Sequence, residues 1–234
     1  KLGNSKKDFF IRNLNSKWWN EVGKKGKPRG LTQGISKEEL VIAIANFEKS
    51  FTEDRMRASQ ALFYELSAAQ IRKEDIKYFA DSTPTNMMQA NYLYKLFPNA
   101  KFVNMIRDGR DAALSVSKEK WGPDDPHQAL YWWANRIVKA HRALLEVRDK
   151  DQLQMRVEDL IVNNRQEEYQ KFLTFLEIED HEDTRAYFES DLLPKYMSQG
   201  VWEKEVKDPD LYEKKYEKIL KNLAAKGIEI AKFY

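Results

Sequence analysis

Residues 100–106, Ala-Lys-Phe-Val-Asn-Met-Ile, run directly into Arg107-Asp108-Gly109-Arg110-Asp111 and then into Ala112-Ala113-Leu114-Ser115. No other stretch limits the possible fold so closely. A short apolar run of this kind suits a strand buried in a parallel sheet. The Asp-Gly pair turns the chain, and the alanines and leucine behind it favour a helix. Strand, turn and helix in that order open a βαβ unit, in which ligands sit beyond the carboxyl ends of the strands. Helix N-termini at that edge offer free N–H groups to anions. Arg107, on the strand tip, brings a permanent charge and paired planar donors, and Ser115, in the following helix, adds a hydroxyl. The two can converge on one phosphate.

The rest of the chain reads as helices around two further strands. Ser36 and Glu39 form a capping box that should start a helix running to about Ser50. Thr52 is expected to cap a second helix, with Met56, Ala61, Leu62, Leu66 and Ala69 on its apolar side. Ile76–Ala80 reads as a strand that ends at Asp81-Ser82-Thr83-Pro84, and a helix from about Thr85 to Phe97 follows. Asp125-Pro126 starts a long helix to about Arg148, with proline in a tolerated first-turn position. Gln152–Val157 is the third strand, and a helix over about 165–176 comes after it. Asp208-Pro209 starts the last helix, with Tyr212, Tyr216, Ile219, Leu220 and Leu223 on one face. Three strands alternating with helices predict an α/β fold with a parallel sheet. One domain is expected over 1–234, with a helical lobe at about 31–72 and a sheet-forming core from about 75 onward.

Composition narrows the class. A chain of 234 residues is long enough for a sizeable core. No apolar run approaches the ~20 residues of a membrane span. With no cysteine, disulfides and cysteine-based zinc sites or nucleophiles are excluded, which is compatible with a cytoplasmic protein. The net charge of +3 hides an asymmetry, because residues 1–30 carry +7. A basic arm attracts polyanions, or equally is a solvated loop. His127, His141 and His181 show no metal-ligand spacing, and no Gly-x-Ser-x-Gly signals a serine hydrolase. Tyr131-Trp132-Trp133 reads as core rather than as a base-stacking platform. Nucleic acid is therefore not an expected partner.

The segment Leu96-Phe97-Pro98-Asn99-Ala100-Lys101, followed by strand, Arg107-Asp108-Gly109-Arg110 and Ser115, resembles the 3′-phosphate-binding segment of sulfotransferases. That family uses 3′-phosphoadenosine 5′-phosphosulfate (PAPS) as donor. The resemblance extends over roughly residues 75–230 and implies a P-loop-NTPase-like fold, a parallel sheet flanked by helices. It also implies transfer of a sulfuryl group to a hydroxyl or amine on a small-molecule, carbohydrate or peptide acceptor. Arg107 and Ser115 fall on the two phosphate-binding positions. Asp81 and Ser82 fall near the reacting sulfur, Ser82 where related sequences carry a lysine. Asp81 could take the acceptor proton, or serve only as a helix cap.

Arg156-Val157-Glu158-Asp159-Leu160 is similar to the family's Arg-(Tyr/Val)-Glu-Asp-Leu, with Glu158 and Asp159 expected to favour a helix N-terminus electrostatically. Gly200-Val201-Trp202 resembles the segment near the nucleotide. Trp202 there packs on adenine or is ordinary core, and Lys195 or Lys204 meets phosphate. The family opens with a strand and a Gly- and Ser/Thr-rich loop for the 5′-phosphosulfate. Nothing before Phe9 can be that element, so an upstream segment is expected. Two other classes stay open on the residues alone. One is a nucleotide or small-molecule kinase of related architecture, and the other is a non-catalytic polyanion-binding module.

Overall fold

The computed structural model describes residues 2–23, 26–71 and 78–230. The chain divides into two compact units, Lys1–Thr83 with Lys95–Pro98, and Pro84–Tyr94 with Asn99–Tyr234.

The first unit is built from helices whose starts are written locally. The Glu39 N–H donates to Ser36 Oγ at 3.2 Å while the Ser36 N–H donates to Glu39 Oε2 at 2.7 Å. This reciprocal pair opens α2 (Lys37–Phe51), which follows α1 (Leu2–Asn15). The third helix, α3 (Arg55–Ile71), is capped by Asp54 rather than the expected Thr52. Asp54 Oδ1 accepts the N–H groups of Met56 and Arg57, each at 3.0 Å. Its buried face also differs from expectation, since Ala58 and Leu62 are buried while Met56 and Ala61 are exposed. With the helix starting two residues later than expected, the stripe of Ala58 and Leu62 meets Leu40, Ala43, Ile44 and Phe47. Leu66 packs at the margin, and the Ala69 side chain lies outside the described residues.

The basic loop between Val22 and Pro28 closes with an antiparallel bridge, and its residues 24 and 25 lie outside the described residues. Of the strand expected over 76–80, residues 76 and 77 also lie outside them. Residues 78–80 have no regular structure and pair with no strand.

The second unit carries the sheet. Among the described residues it has two strands, β1 (Phe102–Ile106) and β2 (Gln152–Arg156), paired in parallel from Phe102↔Gln152 to Ile106↔Arg156. The chain passes between them through α5 (Gly109–Ser117) and α6 (Pro126–Leu144). Asp125 Oδ1 caps α6 by accepting the His127 N–H at 2.9 Å, with Pro126 at the first position as expected. The result is a mixed α/β architecture, mostly helical around a small parallel sheet.

The helix expected over 85–97 is split. A 3₁₀ turn at Asn86–Gln89 leads into α4 (Ala90–Leu96). After β2 the chain makes a π-helical turn (Asp159–Asn163), then α7 (Arg165–Leu176) and α8 (Glu182–Ser190). A short α9 (Trp202–Glu205) precedes α10 (Pro209–Ala224). The start of α10 at Asp208-Pro209 is as read from sequence, with Asp208 at φ 60°, a conformation that Asp tolerates better than most residues. Tyr212, Tyr216, Ile219 and Leu223 are buried, packing with Ile106, Leu114, Leu130 and Trp133. Each such side chain contributes roughly 1.5–3 kcal/mol through burial. Within Tyr131-Trp132-Trp133 only Trp133 is fully in the core, while Tyr131 is exposed. No helix among the described residues is long and apolar enough to cross a membrane.

Candidate anion site at the strand tips

The turn after β1 divides its two arginines between opposite environments. Arg110 points inward. Its Nε and Nη2 donate to the two oxygens of Asp108 at 3.0 and 2.7 Å, and its Nη1 donates to Glu213 Oε2 at 2.8 Å. Its guanidinium carbon lies 4.7 Å from the ring centre of Trp202 and 5.0 Å from that of Tyr216. Burial alone would lower the Arg110 pKa, but the hydrogen bonds and charges of Asp108 and Glu213 outweigh it and hold the pKa above its ordinary value. The Tyr212 hydroxyl donates to the Arg110 carbonyl at 2.9 Å. Arg110 is thus a structural ion in the core.

Arg107 has different surroundings. It is only partly buried, and its Nη2 donates to the carbonyl of Ser198. Its Nε is buried and has no hydrogen-bond partner among the described residues. A guanidinium carries five N–H donors, so Arg107 keeps capacity for an acceptor at the strand tip.

The start of α5 is not an open anion site. Asp108 caps it, with Oδ1 accepting the Arg110 N–H at 2.8 Å, and the Gly109 N–H reaches the Tyr216 hydroxyl at 3.4 Å. The expectation of free helix N–H groups at this edge is corrected accordingly: Asp108 occupies the place an anion would take.

A segment from 198 to 205 runs beside α5. Arg107 bonds Ser198. Asp111, buried in the first turn of α5, accepts the Gly200 N–H at 2.8 Å and the Trp202 N–H at 3.3 Å. Lys118, just past α5, pairs with Glu205. Positions 111, 115 and 118 share one helical stripe. Ser115 therefore lies on the face that this segment borders, between Asp111 and Lys118, and it is exposed.

The other residues singled out in the sequence separate. Trp202 is 6% exposed, with Arg110 over its ring and Tyr212 at 5.9 Å between ring centres. It takes the core alternative, with no open face for a base. Lys204 and Lys195 are exposed. Asp81 and Ser82 belong to the first unit and are exposed, and Asp81 Oδ1 accepts the Thr83 N–H at 2.9 Å, a local turn-closing bond.

Glu158 does more than the helix-starting acid it reads as. It stands at the N-cap of the π-helical turn, as expected, and is also buried, with Oε1 accepting the Asp108 N–H at 2.9 Å. Burial raises its pKa, more than the Asp108 N–H and its own backbone lower it. The Asp108 carboxylate adds to the rise and Arg107 opposes it. Sequence reading missed Glu158, Asp111 and Arg110 as the frame of this site. One signal was available: Asp108 and Glu158 each stand two residues past the end of their strands.

The family model described as "Sulfotransferase family" matches residues 9–183. The chain belongs to the sulfotransferase family. Among curated sulfotransferases it is similar to a protein-tyrosine sulfotransferase of Drosophila melanogaster. Those two are 26% identical over 136 residues, 56% of this chain and 27% of that protein. Protein-tyrosine sulfotransferase 1 of Danio rerio is 30% identical over 82 residues, 33% of this chain and 23% of that protein. The matched stretch spans about a quarter of the length of these curated relatives. Among solved structures, a sulfotransferase domain from the curacin biosynthetic pathway aligns with a TM-score of 0.45 and 18% identity. That alignment covers 80% of this chain and 73% of that one.

Proposed function

We propose that this sulfotransferase-family chain binds the donor PAPS by its 3′-phosphate and serves transfer of a sulfuryl group to a hydroxyl or amine acceptor. The observation that carries the reading is Arg107. It is a cation at the carboxyl end of a parallel strand with a buried Nε–H lacking any partner among the described residues, and the exposed Ser115 lies in the helix that follows. An orphaned buried donor costs free energy unless a ligand meets it, and a phosphate dianion is the natural acceptor for a guanidinium. The residues present therefore fit the phosphorylated 3′ end of such a donor.

Arg107 and Ser115 hold the 3′-phosphate, and Lys204 adds positive charge nearby. Trp202 is not part of this reading. When bound, PAPS supplies a sulfuryl group activated by its anhydride link to a 5′-phosphate. Asp81 would accept the proton of the acceptor hydroxyl or amine, and Ser82 would donate a hydrogen bond at the reacting end. The curated relatives are named for protein tyrosine, so a phenol belongs among the acceptors to be assayed.

The test is calorimetric titration with 3′-phosphoadenosine 5′-phosphate and with 5′-AMP, followed by turnover of PAPS with phenol, carbohydrate and amine acceptors. The reading expects the 3′-phosphorylated nucleotide to bind at least tenfold more tightly. Equal affinity for the two nucleotides would sink it.

A further inference from the structure

Asp111 lies outside the phosphate contacts assigned above, yet its carboxylate is 3% exposed and accepts two backbone N–H groups from residues 89 and 91 positions away. Those donors, Gly200 and Trp202, follow Ser198, whose carbonyl accepts from Arg107, by two and four residues. The turn needs a left-handed residue, and Gly200 supplies it at φ 68°. Two residues earlier the Ser198 carbonyl accepts from Arg107 Nη2, which restrains rotation of the guanidinium about its own stem.

We infer that Asp111 is a positioning residue for the donor 3′-phosphate. By clamping the N–H groups of Gly200 and Trp202 it holds the Ser198 carbonyl where it orients Arg107. The inference rests on the nucleotide reading given above. A carboxylate suits this role because it accepts at both oxygens, whereas an amide presents an NH₂ to one of the two donors. Weakening the clamp leaves Arg107 present and charged but free to rotate. The effect therefore falls on the 3′-phosphate and not on the rest of the nucleotide.

The experiment compares D111N with the unmodified chain by calorimetry, using 3′-phosphoadenosine 5′-phosphate and 5′-AMP, with thermal melts as a check on folding. The expected result is about a tenfold loss for the 3′-phosphorylated nucleotide, a change under about twofold for 5′-AMP, and faster amide exchange at Gly200 and Trp202. If both nucleotides lose affinity equally, Asp111 is only structural and the inference is overturned. An unchanged preference for the 3′-phosphate in D111N overturns it too.

Should D111N fail to fold, G200A carries the test. A Cβ at Gly200 meets nothing closer than Glu203 Oε1 at 4.0 Å, so that variant strains only the backbone of the turn. It should weaken 3′-phosphate binding several-fold and spare 5′-AMP, and an unaltered preference counts against the inference. If the unmodified chain itself ignores the 3′-phosphate, the nucleotide reading has failed instead, and that outcome is visible before any variant is made.

Discussion

Asp108 and Glu158, each two residues beyond the end of its strand, are joined by a hydrogen bond of 2.9 Å from the Asp108 N–H to Glu158 Oε1. The parallel register sets Ile106 opposite Arg156, so the pairing continues past the sheet through a side chain in place of a backbone carbonyl. The turn that presents Arg107 is thereby tied to both strands. Glu158 Oε2, also buried, has no partner among the described residues.

Because burial lifts the Glu158 pKa, the folded protein holds this proton more tightly than the unfolded chain. The contribution is fully present below the ordinary carboxylate value of about 4.3 and is lost as pH rises through the raised folded value. E158Q keeps the acceptor oxygen and removes the titration. Urea unfolding between pH 4 and 8 should show the variant gaining on the native chain as pH rises. A difference that stays flat across that range would refute this assignment.

R110A should be severely destabilising. It leaves Asp108 buried and unpaired, a change that costs about 3–5 kcal/mol, and it removes the cation from between Trp202 and Tyr216. R110K should recover little, because an ammonium cannot span both Asp108 oxygens and Glu213. Chemical denaturation decides the matter, and a loss under ~1 kcal/mol for R110A would contradict the buried-ion account.

R107A should behave oppositely, folding normally and losing about 1.5–3 kcal/mol of affinity for 3′-phosphoadenosine 5′-phosphate, with 5′-AMP almost unaffected. S115A should lose less, about 0.5–1.5 kcal/mol, as befits a neutral donor. Calorimetry on both variants checks this, and equal losses for the two nucleotides would argue against a 3′-phosphate site.

Gly109 tests the packing behind the turn. A Cβ there would lie 2.7 Å from Tyr216 Cε2 and 2.8 and 2.9 Å from ring carbons of Trp133. Rigid aromatic rings cannot move aside cheaply. G109A is therefore expected to cost about 1–3 kcal/mol, more than the gain of under ~1 kcal/mol that alanine brings to a helix. Thermal and urea unfolding should agree, and a stabilised variant would disprove the contact.

What a few adjacent residues encode was legible without coordinates. The strand before Arg107 and the helix after Gly109 were read correctly, as were the Ser36–Glu39 box and the proline-led starts of α6 and α10. Each depends on hydrogen bonds or dihedral limits that close within one turn of chain. A strand near 152 was legible too, whereas its pairing with β1 is seen only in the structure.

Tertiary structure alone decided the rest. The sequence offers a role for Arg107 and none for Arg110, and only the packed chain shows that Arg110 meets Asp108 and Glu213 while Arg107 meets Ser198. Glu158 starts a helical turn as its neighbours suggest, but only the strand register brings it to Asp108, fifty positions away. Trp202 reads equally as stacking platform or core until Tyr212 and Arg110 close on it. The physical reason is one of range. Local propensity arises between neighbours, whereas burial and charge pairing depend on which distant segments share a face, and that is settled only when the chain has packed.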